Sequence, residues 1–172
     1  MVRAELYHKM GGLDPDLYAH MEEVDLCWRL KNAGYRIGYI GSSTVYHVGG
    51  SVISYGSPQK LYYNFRNSLI LLLKNERGSK LLWLFPLRLV LDGIAGLQML
   101  LSGKFKLTAR IVKAHFHFYG SLGKWLQRRR DNKKLISKPT NGGMYKGSII
   151  WAYFIQKKKT FPKLNWQPKK LG

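Results

Sequence analysis

The sequence predicts an α/β fold that is followed by apolar helices and a basic tail. Apolar residues recur at helical spacing between positions 17 and 28. Residues 35–40 instead alternate between apolar and polar or small side chains, which is typical of a strand. A third segment, residues 81–101, is apolar over about the length of a membrane span. Together these patterns indicate a mixed domain with an attached membrane-associating region.

The first predicted helix runs from Asp14 to Gly34. Asp14 followed by Pro15 is typical of a helix start, because the carboxylate caps free N–H groups and proline suits the first helical position. Gly34 suits the helix end. Asp25 and Arg29 are four residues apart and are expected to pair on the polar face. The apolar stripe consists of Leu17, Met21, Val24 and Trp28.

A strand, a second extended segment and a second helix are predicted next. The strand is residues 35–40, and residues 44–48 are a second short strand or an extended loop that ends at a pair of glycines, residues 49–50. The turn at residues 56–58 then opens a helix over residues 59–75. Helices and strands are thus expected to alternate in this region, as they do in α/β folds.

The apolar segment 81–101 contains two charges near its middle. Arg88 and Asp92 would each cost about 2.5–3.5 kcal/mol at the centre of a bilayer. They are four residues apart and can neutralise each other, and Pro86 interrupts the helical pattern. We therefore expect one or two helices that lie in or on the membrane interface. A simple core helix and a true span are the alternatives.

Charge is distributed unevenly along this 172-residue chain, whose net charge is +20. Residues 1–103 contain 11 basic and 8 acidic residues, whereas residues 104–172 contain 18 basic residues and one acid. The basic tail is interleaved with aromatic residues and predicts an anionic partner such as a lipid surface, a phosphorylated ligand or nucleic acid. The single cysteine, Cys27, excludes an intrachain disulfide and a cysteine-based zinc cluster.

The acidic residues are concentrated near the start of the chain. Six of the nine fall within the first 25 positions, and three of these, Glu22, Glu23 and Asp25, are nearly adjacent. His47 follows 24 residues after Glu23. Carboxylates and an imidazole in this arrangement can provide a general base and a metal ligand. The alternative is a solvated helix face with an Asp25–Arg29 pair.

An ordered series of fragments resembles the second half of the nucleotide-sugar-binding domain in family 2 glycosyltransferases, particularly bacterial rhamnosyl- and galactofuranosyl-transferase-like members. The resemblance covers roughly residues 8–75 and implies the C-terminal part of a GT-A type α/β/α layer fold. The fragments are Gly11-Gly12-Leu13-Asp14, Leu17-Tyr18-Ala19-His20, Glu22-Glu23-Val24-Asp25-Leu26-Cys27-Trp28-Arg29, Gly34-Tyr35, Val45-Tyr46-His47-Val48-Gly49-Gly50, Lys60-Leu61-Tyr62-Tyr63-Asn64-Phe65-Arg66-Asn67 and Lys74-Asn75.

The resemblance implies an inverting sugar transfer in which a carboxylate deprotonates the acceptor hydroxyl. By position this base is Glu23, with Glu22 and Asp25 as alternatives because the family usually has aspartate where this chain has Glu23. His47 takes the place of a histidine that helps to bind a divalent metal, Mg²⁺ or Mn²⁺.

Acceptor or substrate contacts are predicted at His20, Trp28, Arg66 and Asn67. Helix packing is the alternative for Trp28, and a solvated helix face is the alternative for Arg66 and Asn67.

The sequence contains no Asp-x-Asp motif at a strand end and no glycine-rich phosphate loop. We therefore expect a missing N-terminal half to hold the nucleotide-sugar donor, and we expect this chain to be inactive alone. The predicted regions are an acceptor-side domain (1–76), a membrane-associating helical region (77–138) and a basic aromatic tail (139–172) with a linker near its start.

The expected location is the cytoplasmic face of the bacterial inner membrane, where a cell-surface glycan or lipid-linked acceptor would be extended. A nucleic-acid-binding module is the first alternative, although the acidic cluster would repel phosphate. The second is a membrane-associated remnant without catalytic activity.

Overall fold

The computed structural model describes residues 2–38, 40–46, 53–54, 56–136, 145 and 147–165. Helix accounts for 68% of these residues and strand for none. The α-helices are α1 (Ala4–Lys9), α2 (Glu22–Asn32), α3 (Pro58–Asn75), α4 (Lys80–Leu101), α5 (Phe105–Gly120) and α6 (Leu122–Lys134). Short 3-10 turns occupy Pro15–Leu17 and Phe161–Leu164, and a π-helical turn occupies Trp151–Ile155.

The expectation of an α/β, GT-A type layer fold is wrong, because the described part of the chain is all-helical. The described residues of the predicted strand 35–40 and of the predicted strand or extended loop 44–48 are irregular, and Ile40, Val45 and Tyr46 are exposed. A strand is stabilised by backbone bonds to a neighbouring strand and by burial of one face. Among the described residues neither is present, so the alternating pattern does not form a sheet here.

The predicted helix from Asp14 to Gly34 is divided into two pieces. The cap is confirmed, since the Asp14 carboxylate accepts a hydrogen bond from the backbone N–H of Asp16 at 3.1 Å. The helix nevertheless stops after the turn Pro15–Leu17, and α2 begins only at Glu22. The loop 18–21 lies between the two pieces, and three of its residues, Tyr18, His20 and Met21, have positive φ angles, which breaks the helix.

The end of α2 agrees with the prediction. Gly34 adopts a positive φ of 91°. Its N–H donates to the carbonyl of Lys31 at 3.1 Å, and the next N–H, of Tyr35, donates to the carbonyl of Leu30 at 3.0 Å. This pair of bonds is the Schellman arrangement, which satisfies the last carbonyls of a helix and favours glycine at this position.

Helix α3 is the centre of a small helical bundle and packs against α2, α4, α5 and α6. Its start is as predicted, because the Ser57 side chain accepts a hydrogen bond from the N–H of Lys60 at 3.2 Å. Leu17, from the turn before α2, inserts into the same core. The main core consists of Leu17, Leu69, Ile70, Leu71, Leu73, Phe118 and Trp125.

Helices α4 and α5 form an antiparallel hairpin. The Thr108 hydroxyl donates to the carbonyl of Gly96 at 3.3 Å, and His115 lies against Asp92, so the two sequences run in opposite directions. Helix α4 continues through Pro86 without a break. It is long and apolar enough to cross a membrane, with a mean hydropathy of 1.5, and only 11% of its most apolar stretch is buried.

Candidate functional site

Asp25 lies at the centre of a buried polar network between α2 and α3. Its carboxylate accepts hydrogen bonds from Arg29 Nε at 2.8 Å, Asn75 Nδ2 at 2.8 Å and Lys74 Nζ at 3.0 Å. The predicted pair with Arg29 is therefore formed, but it is buried rather than on a polar face. Because both carboxylate oxygens are occupied by donors, Asp25 is suited to holding the fold together rather than to accepting a proton.

The two cations of this network also fix the segment before α2. Arg29 donates to the backbone carbonyls of Met10 and Gly12, the latter at 2.7 Å. Lys74 donates to the Asp14 carboxylate at 2.5 Å. Each buried cation thus has both a carboxylate and a second acceptor or charge partner, which is the condition under which buried charge is tolerated.

The network lowers the pKa of Asp14. Burial alone would raise this pKa, since it disfavours the charged form. The hydrogen bond and positive charge of Lys74, the N–H of Asp16 and the more distant charge of Arg128 together outweigh burial. Asp14 is therefore held ionised as a cap and ion-pair partner.

Arg66 and Asn67, which were predicted to contact substrate, are buried and hold the loop before α2. The Arg66 guanidinium donates to Asn67 Oδ1 at 2.9 Å and to the carbonyl of Asp16 at 2.7 Å. Asn67 Nδ2 approaches three carbonyl oxygens of the loop, those of Leu17 (2.9 Å), Ala19 (3.0 Å) and His20 (2.8 Å). The structure therefore places both residues beneath the loop.

The loop held by Asn67 has unusual backbone angles. Tyr18, His20 and Met21 have positive φ angles of 56°, 69° and 74°. Tyr18 has a ψ of −62°, and the N–H of Ala19 donates to the carbonyl of Leu17 at 2.7 Å, which defines a tight γ-turn. Such conformations are strained for residues other than glycine and are concentrated at functional sites.

The loop leads directly into Glu22 and Glu23 in the first turn of α2. One carboxylate oxygen of Glu22 is buried and has no hydrogen-bond partner among the described residues. Glu23 is exposed and lines a cavity of about 750 Å³. The other charged residues that line this cavity are Glu5, Arg3, Lys9 and Arg36. The cavity therefore combines two exposed carboxylates, Glu5 and Glu23, with three cations.

Two further predicted site residues are His20 in the loop and Trp28 on α2. His20 is half-buried within it, and its carbonyl is bound by Asn67. Trp28 is half-buried and packs against the main core. His20, Glu22, Glu23 and Asp25 thus follow one another around the start of α2, but of these only Glu23 lines the cavity and Asp25 lies in the buried network, whereas Trp28 packs against the core.

An aromatic row beside the loop was not identified from the sequence. Ring centroids are 5.6 Å apart for Tyr18 and Tyr63, 5.1 Å for Tyr63 and Tyr62, and 6.1 Å for Tyr62 and His117. The Arg66 guanidinium lies over both Tyr62 and Tyr63, at 5.5 and 5.1 Å from the ring centroids. Tyr62 and Tyr63 are neighbours on α3, but Tyr18 from the loop and His117 from α5 reach them only in the folded protein, so no local pattern links all four residues.

His117 closes this row on α5. Its Nδ1 atom is hydrogen-bonded to the Tyr62 hydroxyl. Burial lowers the pKa of His117, and the charges of Arg66, Lys113 and Lys124 lower it further. The imidazole is therefore held in its neutral form at one end of an otherwise cationic surface.

The described residues contain no group of three or more His, Cys, Asp or Glu side chains that could hold a metal ion. Asp25 is already surrounded by cations, which does not fit a metal ligand. His47 lies outside the described residues. The expected Mg²⁺ or Mn²⁺ site stays a prediction, and no step proposed below passes through it.

Comparison with protein-family models, curated proteins and solved structures gives no match to this chain. The functional interpretation therefore depends on the motifs of the sequence and on the geometry of the loop, the cavity and the helical hairpin.

Proposed function

We propose that this chain is the acceptor-side part of a sugar transferase that works at the surface of an anionic membrane. The observation that carries the proposal is the strained loop 18–21, which Asn67 fixes and which leads directly into Glu22 and the accessible Glu23. Strain of this kind persists only where the surrounding structure enforces it. The strained loop therefore supports a site at the start of α2, which is also where the resemblance to family 2 glycosyltransferases puts the catalytic base.

In the proposed reaction the hydroxyl oxygen of the acceptor attacks the anomeric carbon of the donor. The Glu23 carboxylate accepts the proton of that hydroxyl. The bond from that carbon to the diphosphate oxygen breaks, and the nucleoside diphosphate leaves with the bonding electrons. A carboxylate within hydrogen-bond reach of the hydroxyl suits this step. Arg3, Lys9 and Arg36 in the same cavity provide positive potential for an anionic substrate or leaving group.

In this proposal a separate part of the enzyme binds the nucleotide-sugar, and this chain presents the acceptor. The exposed ring of Tyr18 and the adjoining Tyr63 offer flat apolar faces with hydroxyl groups at the edge, which suits contact with a sugar ring. These two tyrosines, rather than the buried Arg66 and Asn67, are the proposed acceptor contacts.

The membrane part of the proposal is supported by the exposed apolar face of the α4–α5 hairpin. This face includes Leu87, Val90, Ile94, Leu97, Val112 and Phe116. Lys80 begins α4, and Lys104 and Lys106 follow its end. Apolar surface bordered by lysines is typical of helices that lie in the interface of anionic membranes. The cytoplasmic face of the bacterial inner membrane is the proposed location.

A transfer assay with a nucleotide-sugar donor and Mn²⁺ tests the catalytic part, using the chain alone and the chain extended through the upstream reading frame. We expect activity only in the extended version and its loss in Glu23→Gln. Glu5→Gln is the matched control, because Glu5 lines the same cavity and the substitution removes the same charge. Equal loss in both variants would contradict the assignment of Glu23 as base.

A membrane-associated protein without catalytic activity is the second candidate, favoured by the exposed hairpin face. Binding to anionic vesicles with no transfer by the extended version would support it over the transferase.

A further inference from the structure

A short apolar segment in the tail, residues 148–155, exposes its largest side chains. It includes the π-helical turn Trp151–Ile155, in which only the small residue Ala152 is buried. Exposed apolar side chains that adjoin one another mark a surface that contacts a membrane or another molecule. In this apolar turn the large side chains, each between 44% and 68% exposed, are Ile149, Ile150, Trp151, Tyr153, Phe154 and Ile155.

Backbone hydrogen bonds end the apolar turn and hold lysines next to it. The N–H of Gln156 donates to the carbonyl of Trp151 at 3.0 Å, and the N–H of Lys158 donates to the carbonyl of Ala152 at 2.9 Å. Lys157, between the two donors, has a positive φ of 54°, which is the conformation that reverses the chain at the end of a helix. The bond from Lys158 therefore keeps this lysine and its neighbours beside the apolar side chains.

The lysines beside the apolar turn have a positive charge that no described carboxylate offsets. Residues 147–165 contain four basic residues and no acidic residue, a net charge of +4. None of the four ammonium groups forms an ion pair with a carboxylate of the described residues. The basic residues are Lys157, Lys158, Lys159 and Lys163.

We propose that residues 148–163 are a second membrane contact, separate from the α4–α5 hairpin, and that they bind anionic lipid. The apolar turn inserts between the lipids, and the lysines lie at the anionic headgroups. Tryptophan and tyrosine favour the level of the headgroups, and each lysine near an anionic surface adds to the binding. This inference rests on the proposed membrane location and adds the part of the chain that recognises the charge of the lipid.

The composition of the apolar turn favours a bilayer over the other possible partners. Aromatic rings can stack on the bases of a nucleic acid, but Ile149, Ile150 and Ile155 have no ring face and would stay in water beside it. A bilayer buries aliphatic and aromatic side chains alike. A second copy of the same turn is disfavoured because it would bring the two sets of lysines together.

Binding to phosphatidylglycerol vesicles and to neutral phosphatidylcholine vesicles tests the lysines. We expect the test variant to bind phosphatidylglycerol about a hundredfold more weakly, because each lysine near an anionic surface contributes about fivefold. Its binding to phosphatidylcholine should not change. The test variant combines Lys157→Gln, Lys158→Gln and Lys159→Gln.

The matched control removes three positive charges from the region around α2. It combines Lys9→Gln, Lys31→Gln and Arg36→Gln, none of which pairs with a carboxylate of the described residues. We expect this control to bind phosphatidylglycerol much more tightly than the test variant. Equal loss in the two triple variants would overturn the proposal, since binding would then follow the net charge of the protein alone.

A pair of substitutions tests the apolar turn. Ile150→Ser with Phe154→Ser should weaken binding to both kinds of vesicle about a hundredfold, because two large apolar side chains no longer enter the bilayer. Ile40→Ser with Tyr46→Ser is the matched control, since it also removes an exposed isoleucine and an exposed aromatic ring. The melting temperature should be that of the parent in both pairs. Parent-like binding by the first pair would overturn the proposal, and so would a parent dimer that becomes monomeric in that pair.

Tryptophan fluorescence locates the apolar turn in the bound protein. Lipids with brominated acyl chains should quench the parent more than Trp151→Phe, and the difference is the contribution of Trp151. Equal quenching in the two proteins would contradict insertion. Single-stranded oligothymidylate tests the nucleic-acid alternative, because quenching of Trp151 by the oligonucleotide but not by the lipid would overturn the proposal.

Failure of this inference can be distinguished from failure of the transferase. If the extended chain transfers no sugar but the lysine variant still loses binding to phosphatidylglycerol, the reaction is wrong and the tail contact stands. If Val90→Ser with Ile94→Ser loses membrane binding and the two tail variants bind as the parent does, the tail contact is wrong and the hairpin alone holds the membrane.

Discussion

Two regions of the molecule differ in which side chains they bury: the region around α2 and α3, and the hairpin of α4 and α5. Around α2 and α3 the charged groups Asp25, Arg29 and Lys74 are inside and fully paired. On the hairpin, apolar side chains such as Val90 and Ile94 are outside. A buried charge is stable only when it is paired and hydrogen-bonded. A large exposed apolar face marks a surface that binds a membrane or another protein. The buried charges of the first region are therefore satisfied by one another, whereas the apolar face of the second is suited to contact with a membrane.

The comparison predicts that substitutions in the buried network destabilise the fold most strongly. Asp25→Ala should lower the free energy of unfolding by about 3–5 kcal/mol, because it leaves the buried cations Arg29 and Lys74 without their shared partner. Urea unfolding followed by circular dichroism measures the change. Glu23→Gln, two positions earlier but exposed, should stay within about 0.5 kcal/mol of the parent. A mild effect of Asp25→Ala would mean that the network contributes little to stability.

Substitutions on the hairpin face should instead reduce membrane binding and leave folding intact. Val90→Ser together with Ile94→Ser should weaken binding to anionic phosphatidylglycerol vesicles about a hundredfold, since two aliphatic side chains no longer enter the bilayer. The matched control is Ile40→Ser with Val45→Ser, which changes the same residue types at exposed positions outside the helices. Equal loss in both pairs would indicate general adsorption rather than a membrane face.

Much of the helical part of the fold was predictable because its signals are local. The Ser57 cap, the Gly34 stop and the Asp25–Arg29 spacing each depend on residues within four or five positions, and each contact is present. The strand prediction was wrong for a non-local reason. The alternation at residues 35–40 indicates a strand only if a neighbouring strand is available, and the described residues contain none.

The position of the acidic cluster at the start of α2 was predictable, but the burial and the partners of its members were not. The sequence pattern selected Glu22, Glu23 and Asp25 together, yet the burial of Asp25 depends on Lys74 and Asn75, about 50 residues later. The break at Tyr18 has the same origin, because Asn67 holds the loop carbonyls from α3. The helix propensity of residues 14–34 favours one continuous helix, but the hydrogen bonds from Asn67 to the loop carbonyls override that propensity.

The smallest predicted effect concerns the pH dependence of the buried network. The pKa of Asp14 is lower in the folded protein than the usual unfolded value of about 3.9. Its contribution to stability is thus present above that unfolded value and is lost as the pH falls through the lower folded pKa. Asp14→Asn should reduce stability at pH 7 and flatten the loss of stability between pH 4 and pH 2, as measured by urea unfolding at each pH. Asp131→Asn is the control, since the partners of this exposed carboxylate among the described residues are the exposed Lys134 and Gln127, and the substitution should change the profile less. If the free energy of unfolding falls more steeply with falling pH in Asp14→Asn than in Asp131→Asn, Lys74 does not hold Asp14 ionised. The buried charges between α2 and α3 would then not satisfy one another as the hydrogen bonds indicate.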